Sequence, residues 1–296
     1  MSQRFVVQLA TKQAFYNALA TEELVRVAEA QVRRTRQQLQ IAVEKLRAGS
    51  ATRSDSLRST VDYGNARIAL LQAQANLATA QANLGRQIGV DRLVRARPDS
   101  ALPPLPDTTA LRTAALHSAP LLQQAEAQAR AARANVWAAR SPYVPTLSLT
   151  FGSNRQDTLF ANAAVANEVH NWRIGLSWTL FNGFGREQNN VSARVQRDIA
   201  EAQAADARLL VSSQLTTQLA ALTTAIVQID ISSANLAAAT EDLRVQQERY
   251  RVGAATILDL LTSQAALTQA EVNVVQVRFN YLIARATVEA LIGRTL

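Results

Sequence analysis

Few side chains in this sequence have the types and spacing that chemistry requires. Histidine occurs only at His117 and His170, which lie in separate segments without ligand spacing, and cysteine does not occur. The pattern therefore predicts no zinc site and no pair of nucleophile and base. Residues 183–188, GFGREQ, lack the lysine of a phosphate-binding loop and read as a helix start. We expect no catalytic, cofactor-binding or metal-binding residues.

One polar motif with a clear structural role occurs twice. Residues 44–57 read EKLRAGSATRSDSL and residues 248–261 read ERYRVGAATILDLL. Over 44–89 and 248–293, 15 of 46 positions are identical, which predicts two copies of one structural unit. Glycine ends a helix cheaply in a left-handed conformation, and threonine with aspartate caps the next helix. These residues are Gly49, Thr52 and Asp55 in the first copy and Gly253, Thr256 and Asp259 in the second.

The stretches around both motifs repeat an apolar residue every seven positions, beside a row of small residues. Such heptads predict coiled-coil packing, and a helix over about 186–251 would be roughly 100 Å long. We expect two antiparallel helical hairpins, offset by 204 residues, in an elongated rod. The larger row contains Val25, Val32, Leu39, Leu46, Tyr63, Leu70, Leu77 and Leu84 in the first copy, and Leu222, Ile229, Leu236, Leu243, Tyr250, Leu260, Leu267, Val274, Tyr281 and Val288 in the second; the small row begins with Ala66, Ala73 and Ala80.

Residues 146–152 and 172–181 alternate apolar with small polar side chains, a period of two that predicts strands. We expect the polar segment 153–171 to be the loop joining them. A soluble sheet would need a core, and the rest of the chain reads as coiled coil; the pattern therefore favours strands of a membrane barrel. The residues expected to face lipid are Leu147, Leu149, Phe151, Trp172, Ile174, Leu176, Trp178 and Leu180.

Changes in composition and the positions of proline and glycine divide the chain into five segments. We predict a helical hairpin at 1–89, a crossing segment at 90–120, a helix at 121–145, a β-hairpin at 146–181 and a second helical hairpin at 182–296. The net charge of +8 comes mainly from arginines mixed with acids along the helices, so nucleic-acid binding is not favoured. No run of about 18 apolar residues predicts a transmembrane helix, and the first residues lack the apolar core of a signal peptide.

These features together resemble the TolC-type outer-membrane efflux proteins over nearly the whole chain. The resemblance implies a mainly α fold whose β-hairpin contributes to an outer-membrane barrel. It also implies a homotrimer that extends into the periplasm, with a periplasmic adaptor and an inner-membrane pump as partners. The chain would then be a passive duct for efflux or type I secretion rather than an enzyme. The motifs that carry the resemblance are RAGSATRSD at 47–55, YRVGAATILD at 250–259, SPYVPTLSL at 141–149, WTLFNG at 178–183 and LIG at 291–293.

The resemblance also assigns roles at the hairpin tips. Asp259 matches an acidic position of the periplasmic gate, and Thr262 stands at its companion position. Asp55 and Tyr250 match positions that link neighbouring hairpins, while an arginine of the family's latch is Ala255 here. Helix capping explains Asp259 as well as a gate role does, and for Asp55 capping is the favoured explanation. The small residues suited to adaptor docking are Gly49, Ala51, Thr52, Gly253, Ala255 and Thr256.

Two further expectations remain open at the sequence level. Counting back 204 residues from the β-hairpin places its repeat before Met1, so we expect this chain alone not to form a working channel. The alternative function is a coiled-coil structural or adaptor-like protein without a transport role. The strand pair distinguishes the two functions, because a structural or adaptor-like protein would not need a row of apolar residues that faces lipid.

Overall fold

The computed structural model describes residues 2–97, 103–104, 111–113, 115, 118–160 and 163–296. For residue 2 and residues 155–168 it describes the backbone only. Five long helices and one strand pair account for most of them. The helices are α1 (Ser2–Arg47), α2 (Arg53–Ile88), α3 (Pro120–Ala139), α4 (Gly185–Arg251) and α5 (Ile257–Ile292); the strands are β1 (Thr146–Phe160) and β2 (Ala163–Ser177). The predicted fold class, mainly α with one β-hairpin, is confirmed.

The heptad rows lie where coiled-coil packing requires them. Helix α1 packs against α2 and α5, and α4 packs against α5 through two apolar clusters. Burial is deepest in the second copy, where Leu222, Leu260 and Tyr281 are fully buried. In the first copy the helices approach each other closely along the row of small residues, in which Ala66 and Ala80 are buried. The predicted helical hairpins are therefore the two pairs α1–α2 and α4–α5.

Contacts divide the chain into two compact units, 1–120 with 210–296, and 121–209. The first unit contains α1, α2, α5, the part of α4 from Leu210 onward, and both hairpin tips. The second contains α3, a 3₁₀ turn at Ser141–Tyr143, the β-hairpin and the first part of α4. Within the second unit, the Arg133 Nε donates to Glu201 Oε1 at 2.7 Å, joining α3 to α4.

The β-hairpin differs from its predicted extent at both ends. Strands β1 and β2 pair antiparallel from Thr146 opposite Ser177 to Phe160 opposite Ala163. The expected loop 153–171 is therefore wrong, because backbone pairing continues where the apolar alternation stops. Antiparallel pairing depends on backbone hydrogen bonds, so it does not require that apolar and polar side chains alternate.

Two residues expected on a strand lie beyond it. Trp178 and Leu180 follow the end of β2 at Ser177. Continued register would place Trp178 opposite Pro145, which has no N–H to donate to the ladder. Pro145 thus ends the pairing, and both side chains remain exposed without belonging to the strand.

By length and composition alone, α4 is the one helix in the described part of the chain that could cross a membrane. The sequence did not predict it, because polar residues interrupt every apolar stretch of this helix. Its buried residues Leu222 and Ala225 pack against Tyr281 of α5, so part of its apolar surface has a protein partner.

The crossing segment packs closely on the end of the first hairpin. Gly85 of α2 lies so near residues 90–92 that an added Cβ would meet the carbonyl oxygen of Arg92 at 2.4 Å. At the second hairpin, the Tyr281 hydroxyl donates to the Pro103 carbonyl at 2.8 Å and the Ser118 hydroxyl to the Ile292 carbonyl at 2.7 Å. These bonds anchor the crossing segment on α5.

We expect Gly85→Ala to destabilise the protein, because its methyl group cannot avoid a backbone oxygen. Gly64→Ala on the same helix is the matched control, since no atom lies within 4 Å of a Cβ there. It should stabilise by about 0.5–1 kcal/mol, the usual gain of alanine over glycine in a helix. Urea unfolding followed by circular dichroism measures both, and equal effects would contradict the close approach at Gly85.

Candidate site at the hairpin tips

Both helical hairpins turn through the same backbone geometry. Gly49 and Gly253 have φ of 72° and 81°, the left-handed region that favours glycine. At the first tip, the N–H groups of Gly49 and Ser50 donate to the carbonyls of Leu46 and Lys45 at 3.0 and 2.9 Å. The second tip repeats both bonds. Each descending helix therefore ends in a Schellman motif, as the glycine position predicts.

A capping box then starts each ascending helix. The Thr52 hydroxyl accepts from the Asp55 N–H at 3.2 Å, and Asp55 Oδ2 accepts from the Thr52 N–H at 2.9 Å. Thr256 and Asp259 make the same two bonds, and the Thr256 hydroxyl also donates to Asp259 Oδ2 at 2.8 Å. The capping role expected for both aspartates is thus present in the geometry.

The second cap holds its carboxylate more firmly. The Thr256 backbone N–H, then the Thr256 hydroxyl and the Arg249 charge, lower the pKa of Asp259 below its ordinary value. The side chain is exposed. Thr262, one turn further on, donates its hydroxyl to the Leu258 carbonyl at 2.9 Å, so it stays within its own helix.

A pH dependence follows from the lowered pKa of Asp259. The folded pKa lies below the unfolded value of about 3.9, so the stabilisation is present above that value and is lost as pH falls through the folded pKa. We expect the stability difference between wild type and Asp259→Ala to shrink between about pH 5 and pH 2. Thr256→Val, which keeps the backbone donor, should show an intermediate slope. Thermal unfolding across this range tests it, and a constant difference would contradict the prediction.

Tyr250 joins the two hairpins rather than lying free at a tip. Its ring is 7% exposed, and the Lys45 ammonium lies 4.2 Å from the ring centroid while donating to the Tyr250 carbonyl. Burial, and after it the charge of Asp55, raises the pKa of the Tyr250 hydroxyl. The charge of Asp55 therefore acts on the Tyr250 hydroxyl across the hairpins, although no hydrogen bond joins the two side chains among the described residues. The sequence shows no sign of this role for Lys45, because its partner Tyr250 lies 205 residues away.

A polar cavity of about 450 Å³ lies beside Tyr250, between α1, α4 and α5. Four buried polar atoms around it have no hydrogen-bond partner in the described part of the chain: Arg34 Nε, Gln38 Nε2, Tyr250 Oη and Gln264 Oε1. Buried polar groups without partners cost free energy, so this joint between hairpins is weaker than the apolar clusters around it. One strong link spans it, because Arg34 donates two bonds to the Glu271 carboxylate at 2.9 and 2.7 Å.

The small residues predicted for docking lie together at the two tips. Ala51 and Ala255 are half-buried, whereas the remaining four are exposed: Gly49, Thr52, Gly253 and Thr256. Their backbone bonds all belong to the turns and caps already described. The described residues contain no group of three acidic, histidine or cysteine side chains that would hold a metal ion. His117 lies outside the described residues.

The β-hairpin provides a second exposed feature in the other unit. Three cross-strand pairs line one face: Leu147 with Leu176, Leu149 with Ile174, and Phe151 with Trp172. Each of these six side chains is at least half exposed, and Ile174 reaches 75%. The opposite face carries Ser148, Thr150, Arg173, Gly175 and Ser177. The face predicted to contact lipid therefore has no protein partner within the described chain.

Comparison with known proteins identifies the family. The family model described as "Outer membrane efflux protein" matches residues 111–294. This chain belongs to that family. The assignment confirms the predicted location in the outer membrane with an extension into the periplasm, and it does not favour the coiled-coil structural alternative.

Individual relatives agree with the family assignment. The chain is 24% identical over 290 residues to outer membrane efflux protein BepC of Brucella suis, covering 95% of this chain and 62% of that protein. It is 24% identical over 308 residues to outer membrane protein TolC of Escherichia coli, covering 96% and 61%. The crystal structure of the Campylobacter jejuni CmeC outer membrane channel shares the fold, with a TM-score of 0.82, 17% identity and coverage of 99% and 63%. The chain thus spans less than two thirds of the length of each of these three proteins.

Proposed function

We propose that this chain is the outer-membrane channel component of a tripartite efflux or type I secretion system. It acts as a passive duct without enzymatic activity. The observation that carries the proposal is the exposed apolar face of the β-hairpin, together with its polar opposite face. In a barrel wall, the first face meets lipid and the second lines a water-filled lumen.

The dimensions of the hairpin support a place in a membrane. A spanning strand needs about 9–11 residues, and β1 and β2 have 15 each. The apolar band occupies the part of the hairpin nearest α3 and α4, so the polar remainder would project beyond the bilayer. A lone two-stranded hairpin is marginal in water, and closure with strands of other copies would remove its unpaired edges.

The assembly that we propose is a homotrimer with a periplasmic adaptor and an inner-membrane pump. The family assignment supports it. The exposed tips offer small residues against which a partner's helices can pack closely, namely Gly49, Ala51, Thr52, Gly253, Ala255 and Thr256. The polar cavity beside Tyr250 is lined by buried polar atoms without hydrogen-bond partners among the described residues. The hairpins can therefore separate there at a modest cost in free energy.

Within this assembly, Asp259 and Thr262 are the proposed gate positions, and Asp55 with Tyr250 forms the proposed link between hairpins. Asp259 is exposed and keeps its charge to low pH, so three copies near one axis would attract cations. Asp55 is half-buried and close enough to Tyr250 for its charge to act on the hydroxyl.

We expect Asp259→Ala to change the ion selectivity of the assembled channel and its block by divalent cations more than Asp55→Ala does. Both substitutions remove a carboxylate from a capping box, so their effects on the helices should be alike. Only the exposed carboxylate of Asp259 would also face the pore. Conductance in planar bilayers under a salt gradient measures both. Equal and negligible effects would leave capping as the only role of both aspartates.

The proposed export function is tested in cells. A strain lacking the gene for this chain should become more susceptible to toxic compounds or lose a secreted product, and restoring the gene should reverse the change. An adaptor should co-purify with the wild-type protein after cross-linking. A strain that exports normally without the gene, in a background with no second channel of the family, would contradict the function.

A further inference from the structure

The polar cavity beside Tyr250 holds more unmet hydrogen-bonding groups than the fold requires. Gln38 is 4% exposed, Gln264 6% and Tyr250 7%, yet each has a buried side-chain atom without a partner among the described residues. Native proteins leave few such groups unpaired, and each calls for an explanation. All three residues line the cavity, as does Arg34, whose Nε is the fourth buried atom of this kind there.

The fold of the hairpins does not explain these polar groups. In the other copy of the repeat, Ala238 stands at the position of Arg34, and Leu46 stands at the position of Tyr250. Both copies nevertheless form the same helical hairpin with the same capped tip. The polar side chains around the cavity therefore serve something other than the formation of a hairpin.

The unmet groups belong to both hairpins. Arg34 and Gln38 lie on successive turns along one face of α1, and Lys45 lies further along the same face. Tyr250 lies near the end of α4, and Gln264 lies on α5. Because all five residues line the cavity, one molecule inside it can contact both hairpins at once.

The unmet groups also define the chemistry of an occupant. Arg34 Nε and Gln38 Nε2 can only donate hydrogen bonds and the Tyr250 hydroxyl can donate one, so together they suit a carboxylate. The Lys45 ammonium adds a positive charge that has no carboxylate partner in the described part of the chain. Gln264 Oε1 can only accept, so the occupant must carry a donor as well. A neutral hydroxyl suits that place better than an ammonium group, because two cations already line the cavity.

The size and lining of the cavity suit a small organic anion. Its volume of about 450 Å³ lies in the range of roughly 300–1,000 Å³ that is typical of small-molecule sites, whereas one water takes only about 30 Å³. Ile41 and the Tyr250 ring provide apolar surface beside the polar atoms. The two acids of the lining, Glu44 and Glu248, are exposed, and Glu248 binds Arg251 at 3.0 Å. The buried part of the cavity is thus left to donors and apolar groups.

We propose that the polar cavity beside Tyr250 binds a small hydroxycarboxylate that carries an apolar group. Its carboxylate accepts from Arg34, Gln38 and Tyr250, and its hydroxyl donates to Gln264. A molecule held in this way fastens α1 to α5, so the hairpins separate less readily while it is bound. The binding site does not depend on the proposed function; only the consequence that a channel would stay closed rests on it.

Three acids of similar shape test the site by isothermal titration calorimetry on the purified chain in mild detergent. They are 3-phenyllactate, 3-phenylpropionate, which lacks the hydroxyl, and phenylalanine, which carries an ammonium group in its place. We expect phenyllactate to bind about 5-fold or more tightly than either of the others, since one hydrogen bond to a buried group is worth about that factor in affinity. Absence of binding, or any other order of affinity, would overturn the proposal.

The substitutions Gln38→Met and Gln264→Met locate the site. Each removes an unmet group and keeps an unbranched side chain, so the unliganded protein should be no less stable than the wild type. The affinity for phenyllactate should fall about 5-fold or more in each variant. Gln40→Met, on the exposed side of α1, is the matched control and should leave the affinity unchanged. If the two variants lose stability and bind the acid as well as the wild type does, ordered water fills the cavity and the proposal is wrong.

Amide hydrogen exchange tests whether the ligand joins the hairpins. At ten times its dissociation constant, phenyllactate should slow exchange around Gln38 and Gln264 by about 10-fold, because opening of that joint would require the ligand to leave. Exchange in α3 should not change, and unchanged exchange around both glutamines would overturn the link. The export assay is independent of these measurements. Normal export without binding would count against the site alone, and binding without export would count against the proposed function alone.

Discussion

Exchanging two adjacent residues of β2, Arg173→Ile with Ile174→Arg, should prevent the protein from entering the outer membrane. The exchange keeps composition, length and net charge, and changes only which face carries the guanidinium. Ile174 is 75% exposed on the apolar face, and Arg173 lies on the polar face opposite Thr150. An arginine facing lipid at the bilayer centre costs about 2–4 kcal/mol in each copy of a barrel. Three copies would multiply the cost.

The measurement is the fraction of protein recovered in the outer-membrane fraction, with resistance to extraction by urea. A matched control is Ile174→Val, which preserves an apolar side chain of strand-forming type. Ser177→Arg provides a second control, because it adds a charge on the polar face. If the exchanged variant inserted as well as the wild type, the assignment of the two faces would be wrong, and a soluble role for the hairpin would gain support.

The local features of this chain could be predicted from its sequence. Gly253, Thr256 and Asp259 act within a few residues of one another, so the turn and the cap follow from residue types alone. The heptad rows likewise predicted which faces of the helices are buried. The extent of the β-hairpin could not be predicted, because backbone pairing continues through residues where the alternation of apolar and polar side chains has stopped.

Contacts distant in sequence could not be predicted. Lys45 lies on the ring of Tyr250, and Arg34 binds Glu271, across separations of 205 and 237 residues. No periodicity indicates which charged side chain of one hairpin meets which partner on the other. The repeat itself is misleading at such places, since position 271 is acidic where its repeat partner, Arg67, is basic. Duplication preserved the backbone of the tips and let the surfaces diverge.

Position 289 is the clearest case of this divergence. Its counterpart in the first copy is Gly85, whose lack of a side chain lets the crossing segment pack against α2. Glu289 instead is 9% exposed and holds several groups together. It binds the Lys12 ammonium of α1 and accepts from the Leu296 N–H at 3.1 Å, while Arg285 Nε lies 3.6 Å from its Oε1. One carboxylate thus fastens α1, α5 and the residues after α5.

We expect Glu289→Leu to lower the free energy of unfolding by about 2–4 kcal/mol, since it leaves Lys12 and the largely buried Arg285 without the carboxylate that both approach. The exposed pair of Glu23 with Arg26 gives the matched control, and Glu23→Leu should cost only about 0.5 kcal/mol. Lys12→Met combined with Glu289→Leu should recover at least half of the loss, because the unpaired charge on α1 is then removed. Chemical unfolding at fixed protein and detergent concentration measures all three variants. A Glu289→Leu variant as stable as wild type would mean that the apolar contacts of α1 with α5 hold this end without the carboxylate.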